Sequence, residues 1–170
     1  MRMLRSMLQG IDNISESTGM IVRWLAIAMM LIAGFAVVAR YAFNAPAIWA
    51  PELSGMLFGP YFLLGGGYVL RHNAHVSLDT LYVRLRPRVR AILDVITYLL
   101  FFYFTSLILV YGFNYAWESV AKFEHSTSVW GPPIYPIKVI IPLAAALMLL
   151  QGIARYIRSF HMAITGKELI

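Results

Sequence analysis

A chain of 170 residues, 60% of them hydrophobic and only 13% charged, is too apolar for a water-soluble domain. Its net charge of +6 is spread over the ends of apolar runs instead of one basic face, which excludes a nucleic-acid-binding protein. The absence of cysteine excludes disulfides, thiolate metal sites and thiol chemistry.

Four apolar runs, at about residues 20–43, 50–70, 91–117 and 135–153, each reach the roughly 20 residues that a helix needs to cross the hydrocarbon core. Backbone amides find no water there, so each run must close its own hydrogen bonds as a helix. The polar segments between the runs are too short and scattered to build a second core. The expected fold is therefore an all-α integral membrane protein, a single domain over residues 1–170 with four transmembrane helices.

In chain order, Arg2 and Arg5 come first, then Asp12, Asn13, Ser15 and Glu16. That order is unlike a signal peptide with its cleavage site, and residues 11–19 are expected to form an interfacial amphipathic helix that stays on the protein. The first span closes at Arg40-Tyr41-Ala42-Phe43-Asn44-Ala45-Pro46, where an arginine, aromatics and a proline mark an interface and a turn. The second opens with Trp49, Pro51 and Glu52; proline suits a first helical turn and the carboxylate suits the positive end of the helix dipole. Within it Gly55 and Gly59 share one face at a spacing that allows close helix packing. Pro60 and Gly65-Gly66-Gly67 leave two readings, a continuous glycine-rich helix or a broken one of the kind that builds transporter sites. The third span carries a band of aromatics from Tyr98 to Trp117 that faces either lipid or a membrane partner. Residues 118–133 form a connection stiffened by Trp130-Gly131-Pro132-Pro133 before the fourth span.

The basic residues sort by side. Arg2, Arg5, Arg71, Arg84, Arg86, Arg88, Arg90, Arg155, Arg158 and Lys167 fall in the two termini and the middle connection, against Arg40, Lys122 and Lys138 in the other two connections. The bias of basic residues toward the cytoplasm places both termini and the middle connection inside. Residues 84–90 are then expected to be a cytoplasmic surface helix held by membrane lipids.

No catalytic constellation emerges: the spans carry no deep carboxylate of the kind that proton-coupled carriers retain, and no nucleophile or phosphate-binding motif is present. His72, His75 and Asp79 have helical spacing but lack a fourth ligand, so no metal or other cofactor is expected. The chain reads as a non-enzymatic membrane protein.

The segments Arg40-Tyr41-Ala42-Phe43-Asn44, Trp49 with Glu52, and Gly67 through Arg71 to His75-Val76-Ser77-Leu78-Asp79, in that order around the spans, resemble the small membrane subunit (DctQ-like) of tripartite ATP-independent periplasmic (TRAP) transporters. Pro51 and His72-Asn73 depart from the pattern. The resemblance implies a small permease subunit in the bacterial inner membrane. It would scaffold a large DctM-like membrane subunit that carries out sodium-gradient-driven uptake of an organic acid, which a periplasmic substrate-binding protein delivers. On that reading Arg40, Asn44 and Glu52 form an outer cluster with Tyr41 and Trp49 as headgroup anchors, and Arg71, His75 and Asp79 an inner one. Gly55 and Gly59 are packing positions, no residue binds substrate, and Glu118, Lys122 and Glu124 are candidate contacts for the binding protein. A stand-alone small carrier or channel is the alternative.

Overall fold

The computed structural model describes residues 2–72 and 87–165. Four helices make up nearly all of it: α1 (Arg2–Ala42), α2 (Trp49–Arg71), α3 (Pro87–Ala121) and α4 (Tyr135–Thr165). Each contains a stretch long and apolar enough to cross a membrane. The chain is thus an all-helical, four-span protein.

Two boundaries differ from the sequence reading. With no proline to interrupt the backbone before Pro46, residues 11–19 continue without a break into the first span, and α1 runs for 41 residues, roughly 60 Å. Pro87–Arg90, the described part of the expected surface helix, forms the first turn of α3. The rest of that segment, 84–86, lies outside the described residues. α2 stays helical through Pro60 and the glycine triplet, so the continuous reading holds and the broken-helix one is overturned. Proline is tolerated inside a membrane helix when neighbouring groups satisfy the carbonyl it orphans.

α1 stops where Asn44 takes a left-handed φ of 48° and the Ala45 amide turns back 3.0 Å onto the Ala39 carbonyl. Asparagine is among the few residues that accept this conformation cheaply. Asn44 therefore serves the turn through its backbone.

The helices form an open layer in the order α1, α2, α4, α3, in which α3 packs extensively only on α4 while α1 packs along α2 and touches α4 more lightly. α4 is the centre of this layer: a third of its spanning window is buried, against 6% in α1. The buried positions include Ala144, Ala145, Gln151 and Ala154 on α4, Ala116 and Ser119 on α3, Ala50 and Leu70 on α2, and Leu8 and Val22 on α1.

Among the glycines at which a Cβ would collide with a neighbouring helix, one on Gly19 would run into the Tyr68 ring and one on Gly152 would lie 2.5 Å from Phe101. The first seats α1 on α2 and the second seats α4 on α3. Gly55, by contrast, faces open space, and Gly59 meets only Ile137 at an ordinary 3.7 Å. An i, i+4 spacing identifies a helix face without saying whether a neighbour lies on it.

The aromatic band on α3 divides. Tyr98 and Phe102 meet Tyr156 of α4 edge-on, with ring centroids 6.4 and 5.8 Å apart, and Phe101 packs edge-on against both of them. Tyr103, Phe104, Tyr111, Phe113 and Trp117 remain exposed on the other side.

Candidate functional site

The two ends of the layer carry almost all of the polar contacts, and they differ. At the end where α1 begins, here the arginine end, three helices contribute to one network. α1 supplies Asp12, Ser15 and Glu16, at i, i+3 and i+4 and so on one face. α4 supplies Gln151, Arg155 and Arg158, again one face at i, i+4 and i+7. α2 supplies Arg71 and His72 at its C-terminus.

Gln151, fully buried, links the set. It accepts a hydrogen bond from the Ser15 hydroxyl at 2.8 Å and donates to Asp12 Oδ1 at 3.0 Å. Arg158 grips both oxygens of the same carboxylate, at 2.6 and 3.3 Å, the two-pronged geometry that only a guanidinium offers. Arg71 bonds Glu16 Oε2 at 2.5 Å and the Asp12 carbonyl at 2.7 Å, and Arg155 donates to the Arg71 carbonyl at 2.9 Å. His72 Nε2 stands 3.6 Å from Glu16. The Arg71 carbonyl at the end of α2 and the long N-terminal part of α1 are thereby tied to α4. Arg71 and Arg158 each face a carboxylate, whereas Arg155 is held by the Arg71 carbonyl and its Nε is buried without a partner among the described residues. A buried or half-buried charge is tolerated in such an arrangement and costly outside it.

Of the expected inner cluster, Arg71 is found in this network, while His75 and Asp79 lie outside the described residues. Asp12, Ser15, Glu16, Gln151, Arg155 and Arg158 were not singled out from the sequence. Their signal was present as two complementary faces, acidic and hydroxyl on α1 against amide and basic on α4, but the partners are 136 to 146 positions apart.

At the opposite, tryptophan end, Glu52 accepts a hydrogen bond from the Ser128 hydroxyl at 2.5 Å, and Arg40 forms no ion pair with it among the described residues. The expected joining of Arg40, Asn44 and Glu52 is therefore not what the structure brings together: the connection 122–134 folds back and takes Glu52 instead. Trp49 sits between Phe35, stacked at 5.8 Å, and Trp130 at 6.4 Å, while Tyr41 is 80% exposed and free to sit among headgroups. The connection is held internally by the Ser126 amide on the Pro132 carbonyl at 2.8 Å and the Ile134 amide on the Glu124 carbonyl at 3.0 Å. Gly131 supplies a φ of +60° for the turn.

Glu124 pairs with Lys138 at 2.5 Å, and the lysine nitrogen also lies 4.0 Å over the Tyr115 ring, a cation–π arrangement. Of the three candidate docking charges, Glu118 and Lys122 are exposed and Glu124 is engaged within the chain. The hydrogen bond from Lys138 holds the Glu124 carboxyl below its ordinary 4.5. A depressed carboxylate contributes stability above its unfolded value and loses it as pH falls through the folded one. The protection of the amides of residues 122–134, taken as the exchange rate relative to the intrinsic rate at each pH, is therefore expected to be unchanged from about pH 8 to about pH 5 and to fall only in more acidic buffer. Glu124→Gln should abolish that acidic step.

Arg23 lies inside the first predicted span, where the local pattern gives it no acidic partner. It is exposed, with its guanidinium 5.9 Å from the Trp24 ring centroid, an arginine–indole pair of the sort found at membrane boundaries.

The family model described as "Tripartite ATP-independent periplasmic transporters, DctQ component" matches residues 29–162. The chain belongs to the DctQ family. A comparison with curated proteins finds no match. The DctQ match spans the turn at Asn44, all of α2 and α3, and α4 through Arg158, so both ends of the layer fall within it on at least two helices. Asp12, Ser15, Glu16 and Arg23 precede it. DctQ proteins are the small membrane component of TRAP transporters, multi-pass and associated in general with a large membrane subunit and a binding protein. This is a transporter component and not an enzyme family.

Proposed function

We propose that this chain is the static scaffold of a TRAP transporter in the bacterial inner membrane. It holds a large subunit that takes up an organic acid, delivered by a periplasmic binding protein, at the expense of a sodium gradient. The observation that carries the reading is the open layer itself: four spans arranged side by side leave α1 and α3 with long exposed apolar faces, while Asp12, Glu16, Arg71 and Arg158 are tied to one another at the arginine end. A layer of this kind adds area to a neighbour, and among the described residues it encloses no path of its own.

The arginine end is assigned to the cytoplasm, together with both termini, by the charge bias of the connections. The distance along α1 agrees with a crossing between two headgroup zones, since Trp24 to Tyr41 measures about 26 Å of helix, near the thickness of the hydrocarbon core. Asp12 to Glu16 then lie beyond the cytoplasmic boundary. In this orientation Glu118 and Lys122 face the periplasm, where charge reversal at both should slow productive docking of the binding protein without altering assembly of the membrane subunits.

Affinity purification of the tagged chain from its native membrane tests the assignment. A large multi-span membrane protein is expected to co-purify in a fixed ratio. A chain that purifies alone as a monodisperse species would favour the stand-alone carrier.

A further inference from the structure

A groove of about 320 Å³ runs beside the α1–α2 turn at the tryptophan end, with Arg40 and Tyr41 on its rim and Ala33, Ala36, Ala47 and Ala50 in its wall. It exists because those four positions are alanines: larger side chains there would fill it. Along α1 it extends from Ala33 to Tyr41, about 12 Å of helix, and its character changes over that length. The deep end is lined by alanine with one hydroxyl, that of Ser54; the end nearest the turn carries a guanidinium, and no carboxylate lines any part of the groove. The nearest acidic side chain of α2, Glu52, is turned to Ser128.

We propose that this groove binds one glycerophospholipid, its phosphate on Arg40 and a stretch of acyl chain against the four alanines. Charge complementarity selects an anionic group at the rim, since a lone guanidinium there satisfies its donors best with phosphate. The order of the two features selects a lipid over a free anion or a partner's carboxylate. The cation sits at the headgroup end and the apolar trough points into the membrane, as the head and tail of an amphiphile require. Tyr41, exposed beside the arginine, presents an amphipathic ring at the same level.

Native mass spectrometry of the purified complex with its large subunit tests the site. After delipidation the complex is titrated with phosphatidylglycerol, with phosphatidylethanolamine and, separately, with inorganic phosphate. The complex is expected to regain one phospholipid that inorganic phosphate does not displace. Arg40→Gln should weaken phosphatidylglycerol binding at least about tenfold, equivalent to about 1.4 kcal/mol, and Ala36→Phe, which fills the trough and keeps the charge, should also abolish it. Because Arg40 is exposed and pairs with no carboxylate in the described chain, Arg40→Gln folds independently of the outcome at Ala36. Unchanged lipid uptake in Arg40→Gln would overturn the proposal. So would loss of the large subunit with the lipid retained, which marks Arg40 as a protein contact, or inorganic phosphate binding as tightly as the phospholipid, which marks a simple anion site.

Discussion

Gln151→Leu is expected to lower the thermal stability of the purified protein by about 1–3 kcal/mol, although leucine fills nearly the same space. The glutamine has no solvent exposure and serves two groups at once, taking the Ser15 proton and giving one to Asp12. Leucine removes both bonds, leaves the buried Ser15 hydroxyl without its acceptor and leaves Asp12 Oδ1 with only the longer 3.3 Å bond from Arg158; a buried group left unpaired costs more than a hydrogen bond contributes when made. For a chain of this size the loss corresponds to a fall in melting temperature of about 2–4 °C per kcal/mol. The effect has a signature that mere disturbance of packing lacks. Ser15→Ala in the Gln151→Leu background should cost little further, and the two changes should couple by more than about 0.5 kcal/mol in a double-mutant cycle. Strict additivity would show that the buried bond contributes nothing. Asp12→Ala should be at least as damaging, because it strands the guanidinium of Arg158 at the same junction.

Gly152→Val is expected to be the most disruptive small change in the membrane-spanning part, at about 1–3 kcal/mol or loss of the folded protein. The first added carbon already lies 2.5 Å from the Phe101 ring, with Phe102 at 3.2 Å on its flank. α3 packs extensively only on α4, so a shift there has no second contact to absorb it. Phe101→Leu should partly rescue Gly152→Ala by vacating the space, whereas Gly55→Ala, which faces nothing, should leave the isolated subunit within about 0.5 kcal/mol of the parent. Equal costs at Gly55 and Gly152 would contradict the order of helices in the layer.

The contrast between those two glycines shows how far the sequence could be read. The spans, their approximate ends and the turns at Asn44 and Gly131 were legible because they rest on local physics: apolar length, missing amide protons and left-handed backbone. The continuity of α1 was less so, since polar residues 12–16 resemble an interfacial segment, yet nothing in the backbone there stops a helix. What local patterns cannot carry is the identity of the neighbour. Gly55 and Gly59 have the right spacing with little against them, whereas Gly19 and Gly152, isolated in sequence, each receive an aromatic ring from another helix. The same holds for the charges. Arg155 and Arg158 were counted as topology markers and Asp12 and Glu16 as lead-in residues, and only the packing of α1 and α2 on α4 turns them into one network. Glu52 was assigned to Arg40 by proximity in the chain; a connection some 75 residues later provides its partner.

The family match begins at residue 29, after Asp12, Ser15 and Glu16, so these three members of the arginine-end network come from a segment that the match does not include. The others, Arg71, His72, Gln151, Arg155 and Arg158, lie inside it. α1 is thereby joined to the common part of the fold by contacts made through its own N-terminal turns, and loss of those contacts should loosen α1 without unfolding the α3–α4 pair.

A chain that supports transport without performing it gives a clear result in organic-acid uptake into proteoliposomes under a sodium gradient, with the binding protein present, when vesicles that hold this chain alone, the large subunit alone, and both are compared. Uptake is expected only with both subunits, and none above background for this chain alone. Solute uptake by vesicles containing this chain as the sole membrane protein would contradict that role.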